Sequence, residues 1–353
     1  MPADAILTLA WLVLAHLTAD FIVQTTAVVM AKNAPGPRGW RGLGAHGLGV
    51  AACLIPVALA FGLPGLWVLI AITLSHMLVD RTKVLLTRGA ERRALDAAER
   101  RHEGRAPAAG LGRAWTPLPA AYFAFDQLAH LGLTAAAWAI WLSGQAPTVE
   151  WSTAFSNLFA GRDLTVVHEV ILWLVVIASL LIANVRAGAL FVATLVRPTE
   201  LGVEIGALGG EPAAEEPAPT PETTPDAPEV VVPSVEPPRP RRSWDFRIGP
   251  LAATVAEEEA PPPVQVAAEP LVSPTPAPAQ VGATIGILER LLIVTFMLAS
   301  AEAAIGFVIA AKTIARFRLL DDRDFAEYYL LGTLASVGVA VLTGLVARAA
   351  LSA

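Results

Sequence analysis

Seven stretches of the chain are apolar over a length comparable to a bilayer, and this feature limits the fold more than any other. A helix needs about 20 largely apolar residues to cross the hydrocarbon core. The stretches are residues 5–30, 44–61, 64–86, 117–142, 164–196, 285–311 and 325–350. Only 16% of all residues are charged, against about 25% in ordinary soluble domains. The sequence therefore predicts an all-α fold, a polytopic transmembrane helical bundle of about seven helices.

A Pro-rich, acidic segment separates the fifth stretch from the sixth. Residues 211–280 hold 18 of the 28 prolines and almost no large apolar side chains, so they cannot bury enough surface to offset the entropy of ordering. We expect an N-terminal membrane block of five helices (1–197), a disordered linker (198–281) and a C-terminal membrane block of about two helices (282–353). A basic, aromatic island at 238–247 could contact anionic lipid, a protein partner or the acidic tract itself, or simply stay solvated.

Loop charge predicts the orientation of the bundle. Basic residues cluster after the first and third apolar stretches: Lys32, Arg38 and Arg41, then Arg81, Lys83, Arg88, Arg92, Arg93, Arg100, Arg101, Arg105 and Arg113. The positive-inside rule places these loops in the cytosol and the amino terminus outside. We expect a multi-pass protein of the cell inner membrane, in contact with the lipid bilayer. Its single cysteine, Cys53, excludes an intrachain disulfide.

Three of the predicted helices each carry a histidine and an aspartate four residues apart. The pairs are His16/Asp20, His76/Asp80 and Asp126/His130, and His46 opens a fourth apolar stretch. Side chains at i and i+4 share one helix face. Ionisable groups are costly inside a bilayer, which makes them candidates for function. With the predicted orientation, all of these residues can converge in the cytosolic half of the membrane.

Imidazole and carboxylate groups on facing helices are the ligands with which helical bundles bind zinc, iron or manganese. We therefore predict a divalent metal site built from His16, Asp20, His46, His76, Asp80, Asp126 and His130. A site with an open position would support hydrolysis, because a bound metal lowers the pKa of water towards about 7. Arg81 and Lys83, one turn beyond, could hold an anionic headgroup at the mouth of the site.

Two other functions use the same residues. His/Asp contacts could be structural hydrogen bonds between helices, with Gln24 and Gln127 in the same role, which would make the protein a non-catalytic scaffold. They could also line a proton or cation path. His102 is expected on the cytosolic surface and His168 at the outer interface. Nothing in the sequence indicates nucleic-acid binding, and the oligomeric state is left open.

Four short segments resemble an uncharacterised bacterial family of integral membrane proteins, domain of unknown function 3307. They are HLTADFIVQ (16–24), AHG (45–47), SHMLVDRTK (75–83) and FDQLAHL (125–131), and the resemblance covers about the first 140 residues. Residues 286–336 also resemble a block that commonly follows that domain. The resemblance implies a membrane location and no settled activity.

The C-terminal stretches leave one question of topology open. With a cytosolic linker and two simple spans, the basic loop at 312–324 would face outward, against the positive-inside rule. Either residues 285–311 double back, or the linker is outside. Glu302 is expected to lie deep in the membrane with Asn184 or Arg186 as its partner.

Overall fold

The computed structural model of the protein describes residues 3–101, 116–196, 243–248, 251–256, 278–321 and 323–352. The chain divides into two compact units. The first comprises Met1–Glu211 with Pro278–Ala353 and contains every helix of the described residues; the second is Pro212–Ala277.

The first unit begins with α1 and a π-helical turn and continues through seven more helices. Their bounds are α1 (Ala3–Thr18), the turn (Ala19–Val23), α2 (Thr26–Lys32), α3 (Gly36–Phe61), α4 (Leu63–Arg101), α5 (Leu118–Trp141), α6 (Val149–Leu158), α7 (Leu164–Ile182), a second π-helical turn (Ala183–Ala187) and α8 (Gly188–Val196). The C-terminal part adds α9 (Pro278–Leu298), α10 (Ala304–Ala315), a short 3-10 turn (Phe317–Leu319) and α11 (Arg323–Ser352).

Six helical stretches of the described residues are long and apolar enough to cross a membrane. They are Ala5–Val23, Gly36–Phe61, Leu63–Ala94, Leu164–Val196, Val281–Leu298 and Phe325–Ser352. α5 is long enough as well, with 24 residues, but Asp126, Gln127 and His130 lower its hydropathy. The prediction of a helical, multi-pass membrane protein is confirmed.

The first apolar stretch was expected to form one helix over 5–30, and this is wrong. The helix ends in the π-helical turn, and a new helix, α2, starts after Thr25. The Thr25 hydroxyl accepts a hydrogen bond from the backbone N–H of Val28, the N-cap interaction that starts a helix. α2 then packs against the start of α3 at Gly42, and Ala34, which follows α2, lies against Gly39.

The turn between α3 and α4 marks the opposite side of the bundle from the basic residues. Gly62 has a positive φ of 61°, which glycine adopts without strain, and the two helices form an antiparallel hairpin. The N–H of Thr148, just before α6, donates to the carbonyl of Ala60. We call this the Gly62 side, and the side carrying Arg38, Arg81 and the end of α4 the basic side.

The predicted sixth helix is two helices, and the second turns back along the first. Lys312 near the end of α10 pairs with Glu289 in the middle of α9. α9 and α11 consequently run parallel, with Arg290 bonded to Ser336 and Met297 packed on Gly344. Residues 285–311 therefore double back, which answers the open question of topology.

Two apolar cores hold the helices of the first unit together. One lies between α1, α3, α4 and α5 and contains Leu12, Val50, Leu54, Val57, Val68, Ile72 and Trp138. The other lies between α7, α9 and α11 and contains Val176, Leu180, Ile293, Val294, Met297 and Ala340. The first core fills the Gly62 side of the bundle and leaves the polar residues towards the basic side.

Glu302 was expected deep in the membrane beside Asn184 or Arg186, and this is wrong. It lies in the turn between α9 and α10, is about half exposed, and pairs with Arg348. A hydrogen bond from its own backbone and the Arg348 guanidinium lower the pKa of its carboxyl. Asn184 is instead fully buried: its side-chain amide N–H donates to Thr343, and its backbone carbonyl accepts from Arg290.

Most of the predicted disordered linker, 198–281, lies outside the described residues. Within it the structure describes an antiparallel hairpin of β1 (Ser243–Ile248) and β2 (Leu251–Ala256), with Trp244 opposite Val255. The basic, aromatic island at 238–247 stands out in the sequence, but its pattern does not predict a strand.

Candidate metal centre

The structure brings all seven predicted site residues into one buried cluster. α1 and its π-helical turn supply His16 and Asp20, α3 supplies His46, α4 supplies His76 and Asp80, and α5 supplies Asp126 and His130. Six of them are at most 4% exposed, and the Asp20 side chain is 8% exposed. The i,i+4 spacing produces this arrangement, because it aims both members of each pair from one helix towards the same axis.

The tightest group within the cluster joins Asp20, His46 and His76. Asp20 Oδ1 lies 3.0 Å from His76 Nε2 and 3.2 Å from His46 Nε2, and the two Nε2 atoms are 3.0 Å apart. Yet Asp20 Oδ1 has no partner with hydrogen-bond geometry among the described residues. Three ligand atoms thus converge on one point from three different segments.

The size of this triangle fits a transition-metal ion. A triangle with sides of about 3.1 Å has a circumradius of roughly 1.8 Å, and zinc–ligand distances are about 2.0–2.2 Å, so an ion roughly 1 Å out of its plane reaches all three atoms. The ring centroids of His46 and His76 are 5.0 Å apart. Two imidazoles on one tetrahedral ion would place their centroids at roughly this distance.

His16 and His130 lie beside this group rather than in it. His16 Nε2 is 3.3 Å from Gln127 Oε1, and the ring of His130 lies against that of His76 with centroids 3.9 Å apart. The Nδ1 atoms of His16, His76 and His130 have no hydrogen-bond partner among the described residues. These three histidines also form a group with ligand atoms within 4.8 Å of one another.

Two lysines complete the cluster, and the sequence analysis did not place either of them inside it. Lys32 Nζ lies 3.0 Å from Asp80 Oδ2 and 2.7 Å from Gln24 Oε1. Lys83 Nζ lies 2.7 Å from Asp126 Oδ2 and was expected at the mouth, free to hold a headgroup. Lys32 reaches the cluster only because α2 folds back after the first helix. The one sequence signal for that turn was Thr25, which caps α2.

Gln127 connects the carboxylates to the histidines. Its side-chain nitrogen donates to Asp126 Oδ2 at 3.1 Å and to Asp20 Oδ2 at 3.4 Å, while its oxygen faces His16. The expected hydrogen-bonding role of Gln24 and Gln127 is present, and here it positions the residues of the site.

The charges of the cluster do not balance. Asp20, Asp80 and Asp126 face the ammonium groups of Lys32 and Lys83. With neutral imidazoles, the buried cluster therefore carries one uncompensated negative charge. Buried charge without a partner is costly, so the cluster favours a cation.

Among the described residues of the cluster, the greatest exposure is on the basic side. The Lys83 side chain is 22% exposed, the largest value among the charged residues of the cluster. On the Gly62 side, His16 and His76 meet an apolar pocket lined by Leu12, Ala15, Val50, Leu54 and Ile72. A ligand would thus enter past Lys83.

His168 is not part of the cluster. His168 stacks on Phe155 with ring centroids 5.1 Å apart, near the start of α7. His102 lies outside the described residues.

The match to a family model covers the segments that carry these residues. Residues 8–160 match the family described as protein of unknown function (DUF3307). The resemblance predicted from the sequence is thus confirmed, and the matched DUF3307 region contains all seven site residues and both lysines. No curated protein and no solved structure matches the chain.

Proposed function

We propose that the protein is a membrane metalloprotein that binds a divalent ion (zinc, iron or manganese) between Asp20, His46 and His76. The observation that carries the proposal is the convergence of Asp20 Oδ1, His46 Nε2 and His76 Nε2 within 3.0–3.2 Å of one another. We further propose the cell inner membrane as its location, with the basic side in the cytosol.

The net negative charge of the site supports a cation, and its imidazole and carboxylate ligands fit a divalent transition metal. The ion would change the net charge of the cluster from minus one to plus one and would give a partner to Asp20 Oδ1, one of the buried site atoms that have none. The DUF3307 region contains six such buried atoms among its described site residues: His16 Nδ1, Asp20 Oδ1, His76 Nδ1, Asp80 Oδ1, Asp126 Oδ1 and His130 Nδ1. A scaffold held by hydrogen bonds would leave few of them unpaired, which argues against that alternative.

We propose hydrolysis as the reaction of the centre. When bound, the ion supplies Lewis acidity and lowers the pKa of nearby water towards about 7. His16 lies beside the triad with an unpaired Nδ1 and is placed to accept a proton. Asp80 Oδ2, which Lys32 holds, lies 3.3 Å from His46 Nε2 and therefore borders the proposed centre.

A proton or cation path has less support. A path needs polar groups on both sides of the cluster. Leu12, Val50, Leu54 and Ile72 close the Gly62 side with apolar side chains that are at most 4% exposed.

Metal content tests the proposal. We expect one zinc, iron or manganese ion per chain in the detergent-purified protein after repletion, measured by elemental analysis. His46→Ala and His76→Ala should each lose it, since three-ligand sites bind weakly with two. His168→Ala removes a histidine outside the cluster and should keep the ion. A wild-type protein without metal, or unchanged metal in both cluster variants, would refute the centre.

A further inference from the structure

We propose that the centre acts on an anionic membrane lipid, whose phosphodiester group binds beside Lys83. This inference rests on the metal centre proposed above and names its substrate class. Three observations support it: the charge of the loaded cluster, the exposure of Lys83, and the aromatic surface next to it.

The charge of the loaded cluster favours a monoanion. Three carboxylates, two ammonium groups and one divalent ion sum to plus one. A phosphodiester carries a single negative charge and would bring the buried cluster to neutrality. Neutral or cationic ligands would leave the excess charge in place, at a cost that rises with burial.

Lys83 is the more exposed of the two cluster cations. Its ammonium lies 2.7 Å from Asp126 Oδ2 and 3.8 Å from Asp80 Oδ1, and its side chain is 22% exposed. The Lys32 side chain, in contrast, is 8% exposed and is bonded to both Asp80 and Gln24. An ammonium has three donors, so Lys83 can hold Asp126 and still donate to a phosphate oxygen.

An apolar surface adjoins this ammonium. Lys83 Nζ lies 5.4 Å from the centroid of the Phe123 ring, which contacts Phe21 at 6.4 Å and Phe191 at 6.3 Å. Phe21 and Phe191 are half-buried, so this aromatic cluster keeps an open edge. An ammonium next to a partly exposed aromatic cluster suits a ligand with an anionic head and a hydrocarbon chain.

The basic side carries features of a membrane–water interface. Trp40 is 58% exposed and lies under the Arg81 guanidinium, 5.0 Å from the ring centroid. Exposed tryptophan and arginine of this kind settle at the level of lipid headgroups. Anionic lipids concentrate beside such basic segments, which would bring the substrate to Lys83.

Calorimetry on the full-length, zinc-loaded protein in a neutral detergent tests the proposal. The probes are dioctanoyl phosphatidylglycerol, which carries the head and chains, and glycerophosphoglycerol, which carries the head alone. We expect the lipid to bind at least tenfold more tightly than the head. Lys83→Met should weaken lipid binding at least tenfold, and Lys83→Arg should keep it within about threefold because the charge remains. Arg92→Met, which removes an exposed charge on the same helix, should bind as the wild type does.

Each contrary result overturns the proposal in a distinct way. Equal binding of the head alone would make a free phosphodiester the ligand. Wild-type affinity in Lys83→Met would show that Lys83 does not bind the lipid. If neither probe binds, the site does not bind a phosphodiester. Unchanged lipid binding after chelation would overturn the charge argument. Zinc content is measured on every sample and tests the metal centre separately, since Lys83→Met is expected to retain the ion.

Discussion

At the scale of single residues, sequence spacing was sufficient to find the clustered histidines and aspartates but not their counter-ions. The i,i+4 pairs indicated which residues share a helix face, and the depth of each pair followed from the positive-inside rule. Lys32 could not be placed, because its position depends on a chain reversal after Gln24. The pairing of Lys83 with Asp126 depends likewise on how α4 and α5 pack, which no local pattern specifies.

Replacing Lys32 by methionine should destabilise the protein. Lys32 is 7% exposed and bonds to Asp80, so its removal leaves a buried carboxylate without its cation, at a cost of about 3 kcal/mol. We expect a clearly lower melting temperature in detergent, and a smaller loss in the double variant Lys32→Met, Asp80→Asn. Arg92→Met, on the surface, serves as the control. Equal melting temperatures for Lys32→Met and the wild type would show that the pair does not contribute.

At the scale of elements, the bends of the chain position the site. The π-helical turn Ala19–Val23 ends the first membrane helix next to Asp20, and Thr25 then starts α2 in a new direction. Apart from Thr25, the largely apolar stretch over residues 5–30 gave no sign of the break, because hydropathy records burial and not direction. π-Helical turns are frequent at functional sites, and this one carries a proposed ligand.

The close contact of α2 with α3 provides a matched test of this arrangement. A Cβ added at Gly42 would overlap the backbone of Ala31 and Lys32, whereas one added at Gly44 meets nothing within 4 Å. Gly42→Ala should therefore push α2 and Lys32 away from Asp80 and cost about 2 kcal/mol. Gly44→Ala, exposed on the same helix, should be neutral or slightly stabilising. Thermal unfolding of the two variants tests this expectation, and equal melting temperatures would contradict the close packing of α2 on α3.

At the scale of the whole molecule, the return of α10 along α9 determines on which side each segment ends. α11 runs parallel to α9 and antiparallel to α8, with Gly332 next to Val196. The basic turn after α10 therefore lies on the basic side, in agreement with the positive-inside rule. The sequence analysis identified this conflict of charge and topology. It could not resolve it, because Lys312 and Glu289 are brought together only by the tertiary fold.

Cysteine labelling tests this topology. In a Cys53→Ala background, which removes the one native thiol, Arg38→Cys and Arg318→Cys should react with a membrane-impermeant maleimide from the same side. Ser143→Cys, exposed on the Gly62 side, should react only from the other side. Labelling of Arg318→Cys from the same side as Ser143→Cys would contradict this topology, because it would show that residues 285–311 cross the membrane as a single span.

The central claim is that Asp20, His46 and His76 hold one divalent ion, and X-ray absorption at the zinc edge of the loaded protein tests it most directly. The account predicts a shell of nitrogen and oxygen at about 2.0–2.1 Å, with the multiple scattering of two imidazoles. In His46→Ala, at most one imidazole should remain. A spectrum without imidazole scattering, or one that His46→Ala leaves unchanged, would contradict the account.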